Sequence, residues 1–488
     1  MENIPLALIE RIEIIKGPFS SAYGSDAIGG VIQIFTRASG APVLYGNAAA
    51  GSHATRDIAA GFSTLEAGTR FSMHTGFRET AAPSATNARA GFLFNPDRDP
   101  YRNEHGNLQF AHTFRNGETL TISAFQSRGR TSFDSGPDSN DRNRQTLSGY
   151  QLTSVNELTR GWSSRLSIGR GTDDVRIDGA YPAQFKTRQD QFSWISEFKT
   201  LRGNMTAGID FRNESVAGSI AYEVSRRETR SVFMGYLEKL DLQQVEFSLR
   251  RDEEDQFGQR NTGSVSYGYH LNPNLLAYAR GGRAFRAPSF NDLYYPPIFG
   301  PSSNPNLRPE RSSSAEAGLR WSGKVFTASV AGFDQKIDDL IVLDQDYIPQ
   351  NVLKARIRGV EATLEARWLG YDVRAFLTRQ RPRNEDTGKQ LRSRAETFGS
   401  FVVAKSIGAW QFSTTAVGSS ARFDSATEAP GSRMAGYGLL NAQMRYALNK
   451  SWNVELSANN ITDRKYELAQ GYNTPGRTVF LNVKFEAH

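Results

Sequence analysis

The chain has 488 residues, of which 38% are hydrophobic and 22% charged; its net charge is +7 and its mean hydropathy −0.51. It contains no cysteine, which excludes disulfides and thiolate metal sites. No apolar run approaches the roughly 18 residues that a membrane helix needs. The positive charge is spread without a basic block, so no nucleic-acid partner is expected.

Met1–Pro5 has no charged segment leading into an apolar one, so it does not read as a signal peptide. Ile4–Ile9 reads as the continuation of a motif, and an in-frame upstream region is expected. From Ile9 to Arg37 two short strand-like runs, Arg11–Ile15 and Val31–Phe35, flank a segment dense in Gly, Ser and Pro. Gly17–Pro18 stops the first run, because proline fixes φ and lacks an N–H. Gly24, Gly29 and Gly30 permit backbone conformations closed to other residues. Residues 1–40 therefore form one compact unit with a small sheet, and residues 41–488 a second, different one.

After Arg37 the pattern is uniform. Ten short polar turns fall near 65–68, 115–118, 160–162, 201–204, 241–244, 271–274, 322–324, 369–371, 406–410 and 448–452. Eleven longer polar or Pro/Gly-rich stretches alternate with them, the longest at about 77–105 and 282–312. That alternation implies 22 strands of about 9–11 residues. Within the strands polarity has period two. Val360, Ala362, Leu364, Ala366 and Trp368 fall on one face and Glu361, Thr363, Glu365 and Arg367 on the other. A transmembrane barrel averages out as polar because each strand alternates lipid-facing and lumen-facing residues. The predicted fold is all-β: a 22-stranded antiparallel transmembrane barrel, a size whose lumen needs a plug. A soluble all-β binding protein would share the alternation but not the strict short-turn, long-loop rhythm.

The stretch ERIEIIKGP…SAYGSDAIGGVIQIFT resembles the end of the plug domain of TonB-dependent outer-membrane receptors, with Gly17, Pro18, Tyr23, Gly24, Gly29 and Gly30 carrying the motif and Lys16 standing where arginine is usual. The barrel region resembles the same family at FRAPSFNDLY…NPNLRPE, FDQKIDDLI, ARIRGVEA and NNITDRKYELAQGYNTPGRTVFLNVKF. The combination RNTG, NPNL, KARIRGVEA and YE…GYNTPGR is most similar to the cobalamin (vitamin B12) receptor branch. The resemblance implies a monomer in the Gram-negative outer membrane, in contact with its lipid. It also implies energised uptake of a corrinoid through the TonB complex, whose contact box is absent from this chain. A ferric-siderophore receptor of the same family, or a passive diffusion pore, are the alternatives.

Several residues follow as candidates. Arg11 and Lys16 on the plug remnant, with Glu316 and Glu361 facing the lumen by parity, match the family's plug–barrel ion pairs. Unpaired buried charge is costly, so charges crowded into a lumen should be paired. Asp97 and Asp99 align with a loop that resembles a calcium-binding one in the cobalamin branch, and Asp173, Asp174 and Asp178 lie further along. Calcium takes six to eight oxygens, so carboxylates from two loops could converge on it, although Arg98 and Arg176 interrupt the clusters and solvated loop charges give the same pattern. Phe290, Tyr294, Tyr295 and Phe299 stand on a proline-rich loop, either as an apolar wall for ligand or as loop packing. The six histidines are scattered and no catalytic triad, phosphate loop or carboxylate pair stands at a meaningful spacing, so neither an enzyme nor a required cofactor is expected.

Overall fold

The computed structural model of the chain describes residues 3–4, 9–36, 43–297, 302–344 and 346–487. From Val43–Gly51 to Thr478–Ala487, 22 strands close into a barrel in which each strand pairs antiparallel with its neighbours. Closure is made by the last strand against the first, with Leu481 opposite Ala50 and Ala487 opposite Leu44. Closing the sheet leaves no unpaired edge, the condition for crossing a bilayer with strands.

All ten short turns lie where the polar punctuation places them, from Glu66–Thr69 to Ala447–Trp452. At Ala67–Gly68 and Leu369–Gly370 both central residues have positive φ, the two-residue geometry that matches the twist of a hairpin. The strands are longer than the expected 9–11 residues: Asp141–Thr159 has 19 and Pro349–Trp368 has 20. The excess continues the ladder past the lipid-facing band at the long-loop end, so the loops are correspondingly shorter than their polarity suggests. Val360, Leu377, Trp368 and Tyr267 are exposed on the outside of the wall, as lipid-facing residues must be when no lipid surrounds them.

Inside the wall runs a hairpin, β1 (Ile9–Lys16) paired antiparallel with β2 (Gly30–Thr36). Between them a single helical turn, Ser20–Tyr23, contacts the barrel strands Arg226–Lys239, Gln243–Glu254, Gly258–Asn272 and Leu275–Arg286. Gly30 has φ +149°, and a Cβ there would meet the Ile15 carbonyl oxygen, so the hairpin closes only with glycine at that point.

Candidate functional site

The hairpin is seated by short polar contacts with the wall. Ser20 and Ser21 are fully buried. The Ser21 hydroxyl lies 2.6 Å from that of Ser248, which in turn lies 2.7 Å from Ser264. The Asp26 amide donates to the Phe285 carbonyl at 3.3 Å, and Gln335 Nε2 donates to the Ile28 carbonyl at 3.0 Å. Pro18 is buried, with its carbonyl against Gly282. Gly24, at φ +82°, lets the chain pass close to the Arg250 guanidinium. Gly17 donates its amide to Gly29 O at 3.2 Å, and Tyr23 is 42% exposed toward an internal cavity of about 1110 Å³ bordered also by Ser21, Asp210 and Ser248.

Of the four charges expected to tie hairpin to barrel, two meet. Lys16 Nζ lies 2.6 Å from Glu361 Oε2, and Thr378 Oγ1 donates to that same oxygen at 3.2 Å. The other two find nearer partners. Arg11 pairs with Glu13 at 2.7 Å and lies 3.7 Å over the Phe35 ring. Residues two apart on a strand share a face, so its carboxylate is local. Glu316 stands directly opposite Arg280 in the ladder and accepts from it at 2.8 Å, with Tyr278 Oη at 3.1 Å; it is satisfied within the barrel.

The wall facing the helical turn carries a charge network that the sequence reading missed. Arg250 reaches Asp210 at 2.7 Å and Asp252 at 2.8 Å, with side-chain exposures of 5% for Arg250 and 1% for Asp252. Arg227 lies 3.4 Å from Glu254 and 3.5 Å from Glu214, and Arg212 lies 3.5 Å from Glu214 and 3.9 Å from Asp26 of the hairpin. Here the barrel supplies the cations and the hairpin a carboxylate. The available signal was opposite charge at two-residue spacing, Arg212 with Glu214 and Arg250 with Asp252, which puts both on one face of a strand.

Among the acidic loop residues, Asp97 and Asp99 converge with Asp134, a residue the sequence reading did not single out; one carboxylate oxygen of each lies within 4.8 Å of the others. Asp99 accepts from the Ala85 amide at 2.7 Å, and Asp134 accepts from the Thr86 hydroxyl through one oxygen. Its other oxygen has no hydrogen-bond partner among the described residues, and Asp134 is only 8% exposed. Burial is the main cause that pushes the Asp99 and Asp134 carboxyls above their usual range, and the neighbouring aspartates add to it. Asp173, Asp174 and Asp178 do not join them. They belong to the strand Trp162–Asp178, where alternation sends Asp173 to one face and the other two to the opposite one. Gln145 donates to Asp173 at 2.8 Å, Gln184 to Asp174 at 2.9 Å, and Arg144 pairs with Asp178 at 2.9 Å.

The aromatic loop is built as packing. Ser289 and Asp292 form a reciprocal cap on the helix Phe290–Tyr294. Phe290 is buried with Val216 and Tyr222, and Tyr294 packs against that cluster. Tyr295 stacks on Phe185 with 5.7 Å between ring centroids. The Tyr222 hydroxyl donates to Asn291 at 2.7 Å, and burial pushes its phenol up to about 12. Of the two roles open to these aromatics, the packing of Phe290 against Val216 and Tyr222 is loop packing. Phe299 lies outside the described residues.

A closed even-stranded barrel with short turns at one end, long loops at the other and a hairpin held in its lumen defines a plugged outer-membrane-type barrel. The family model for the TonB dependent receptor-like β-barrel matches residues 44–461, and that for the TonB-dependent receptor plug domain matches residues 1–31. The chain belongs to the TonB-dependent receptor family. It is similar to the vitamin B12 transporter BtuB of Photobacterium profundum, 25% identical over 99% of this chain and 80% of the relative. It is likewise similar to that of Vibrio vulnificus, 27% identical over the same shares. In fold it is similar to the siderophore receptor PirA from Acinetobacter baumannii, with TM-score 0.84 and 16% identity over 99% of this chain and 86% of that one.

Proposed function

We propose that the chain forms the barrel and plug terminus of an energised outer-membrane importer whose cargo is a corrinoid of the vitamin B12 type. The alignment with vitamin B12 transporters over 99% of the chain carries this reading. A barrel of this family is a protein of the Gram-negative outer membrane, and its members are receptors and transporters. Cargo would enter at the long-loop end and pass through the lumen once the hairpin moves. Lys16–Glu361, Ser21–Ser248 and Arg212–Asp26 are the contacts that hold the hairpin meanwhile and give way when the plug is pulled.

Asp97, Asp99 and Asp134 would hold a hard divalent cation such as calcium, with carboxylate oxygens as its ligands. The buried unpaired Asp134 oxygen supports this, because leaving such a group without a partner is costly. A cation there would pin the loop between Thr80 and Tyr101 to the one between Phe133 and Asp141.

Uptake by cells that depend on external corrinoid and lack their own importer tests the cargo. Restored growth on nanomolar cyanocobalamin that disappears when the energising complex is deleted is expected. No rescue by cyanocobalamin, together with rescue of an iron-starved strain by a ferric siderophore, would overturn the cargo while leaving the family intact, and rescue without the complex would favour a passive pore.

A further inference from the structure

The outer wall carries a groove that runs from Val265 and Tyr267 to Arg379 and Arg381. Alternation identifies the outward residues. Glu361, Thr378, Glu316 and Gln335 bond within the lumen, so Val360 and Arg358, Arg379 and Arg381, Ala315 and Ala317, and Gly332 and Asp334 point outward. Ladder partners confirm the rows: Arg358 is opposite Arg381, Val360 opposite Arg379, Gly281 opposite Ala315, and Ala317 opposite Gly332.

The floor of the groove is made of residues with almost no side chain, Ala279, Gly281, Ala315, Ala317 and Gly332, on three adjacent strands. Val265 and Tyr267 rise on one side and Val360 on the other, and the space between them is about 1480 Å³. A Cβ built on Gly332 meets nothing within 4 Å, so the hollow is real at its centre. Three strands about 4.8 Å apart make the floor roughly 10 Å wide, enough for two acyl chains side by side.

Arginines close the groove at its long-loop end. Arg379 and Arg381 lie eight and ten residues along their strand from Tyr371 at the short-turn end. At about 3.3 Å per residue and a tilt of about 40° they stand roughly 20–25 Å up, the outer rim of an apolar band about 25 Å tall. One rung further out, Arg356 pairs with Asp334 and Glu385, and Arg383 with Glu396. Asp334 stands beside Arg358 in register, but both its oxygens receive bonds from the Arg356 guanidinium. Arg358, Arg379 and Arg381 are exposed and have no hydrogen-bonded or ion-paired carboxylate among the described residues. Five guanidiniums thus face three carboxylates, and of the three left without one, Arg358 and Arg381 stand directly opposite each other. Like charges directly opposite one another on a sheet are destabilising, and the arrangement calls for an anion from outside the chain.

We propose that this groove binds one multiply acylated, doubly phosphorylated lipid of the outward-facing leaflet. Its chains lie on the Gly281–Ala315–Gly332 floor, and its phosphates are held by Arg358 and Arg381 on one rung and Arg379 on the next. Guanidinium forks suit phosphate oxygens, and the rim position matches the depth of a lipid headgroup. The site is independent of the cargo and would hold for either a corrinoid or a siderophore importer.

Native mass spectrometry of the whole chain in detergent tests it, with lipid A, a disaccharide lipid bearing two phosphates, as the probe. One retained lipid A per barrel is expected. Arg358→Gln/Arg381→Gln should weaken retention about 30-fold, from about fivefold per cation lost near a lipid headgroup. Gly332→Leu, which fills the floor and leaves every charge in place, should also weaken it; the heat-modifiable gel shift of a folded barrel shows that both variants fold. Equal retention of dephosphorylated lipid A would overturn the proposal, as would release of the lipid by millimolar inorganic phosphate. Equal retention of phosphatidylglycerol would overturn the double-phosphate assignment, and unchanged binding in both folded variants would remove the groove as the site.

Discussion

Lys16 Nζ and Glu361 Oε2 lie 2.6 Å apart, the one ion pair among the described residues that joins the hairpin's cations to the barrel wall. The side chains are 54% and 24% exposed, so water in the lumen screens the pair. Such a screened pair contributes little, on the scale of other solvent-exposed ion pairs.

Glu361→Ala should therefore loosen the hairpin by less than about 1 kcal/mol, the scale of a solvent-exposed pair. Glu316→Ala should leave the hairpin unchanged, because Glu316 bonds to Arg280 and Tyr278 of the barrel. Hydrogen exchange of residues 9–36 separates the two: faster exchange in the Glu316 variant, or none in either, would contradict this division of roles.

Gly24 and Gly29 stand in one motif but carry different constraints. Gly24 has φ +82° and faces Arg250, whereas a Cβ on Gly29 meets nothing within 4 Å. Gly24→Val should cost about 1–2 kcal/mol or more, since a β-branched residue resists the left-handed region. Gly29→Ala should stay within about 0.5 kcal/mol. Protease accessibility of the hairpin in the folded barrel would show the contrast, and equal sensitivity would refute it.

The carboxyls of Asp99 and Asp134 are raised above 3.8, chiefly by burial. A carboxyl whose folded-state value is raised stays protonated in the fold while the unfolded chain loses its proton, so its contribution to stability falls as pH rises from about 4 through the raised values. A bound divalent cation competes with those protons, and its affinity should rise across the same window. Calcium titration followed by melting temperature should give a larger upward shift at pH 7 than at pH 4.5, lost in Asp134→Asn. A calcium response that is flat with pH, or that survives this variant, would argue against the cluster.

Phe290 is 7% exposed, packed with Val216 and Tyr222 under the Arg227 guanidinium at 4.8 Å. Phe290→Ala should loosen the loop by about 3 kcal/mol, the low end for emptying a buried phenylalanine site. Tyr295→Ala should cost less, because Tyr295 only stacks on Phe185. Loop-specific hydrogen exchange reads both effects. Altered cargo affinity with unchanged exchange in the Phe290 variant would restore this ring to the ligand wall.

The strand count was legible in the sequence because alternation and turn chemistry are local. Each of ten turns interrupts a period-two pattern within a few residues, and a closed barrel needs little more than that pattern repeated. Parity likewise placed Glu361 in the lumen without knowledge of its neighbours. What parity leaves open is which of several inward charges is nearest. Arg11 faces Glu13 and Glu316 faces Arg280, because a partner on the same strand or the adjacent rung is closer than one across the lumen. Asp134 joins Asp97 and Asp99 from a separate loop, while Asp173, Asp174 and Asp178 disperse over two faces of a strand that runs further than its polarity suggests. The unmatched Arg358 and Arg381 appear in the sequence only as two arginines 23 positions apart, and it is the register between their strands that sets them side by side. Sequence determined the period and the punctuation, since backbone geometry imposes both residue by residue. Contacts between strands distant in the chain belong to register and loop closure, which only the tertiary structure decides.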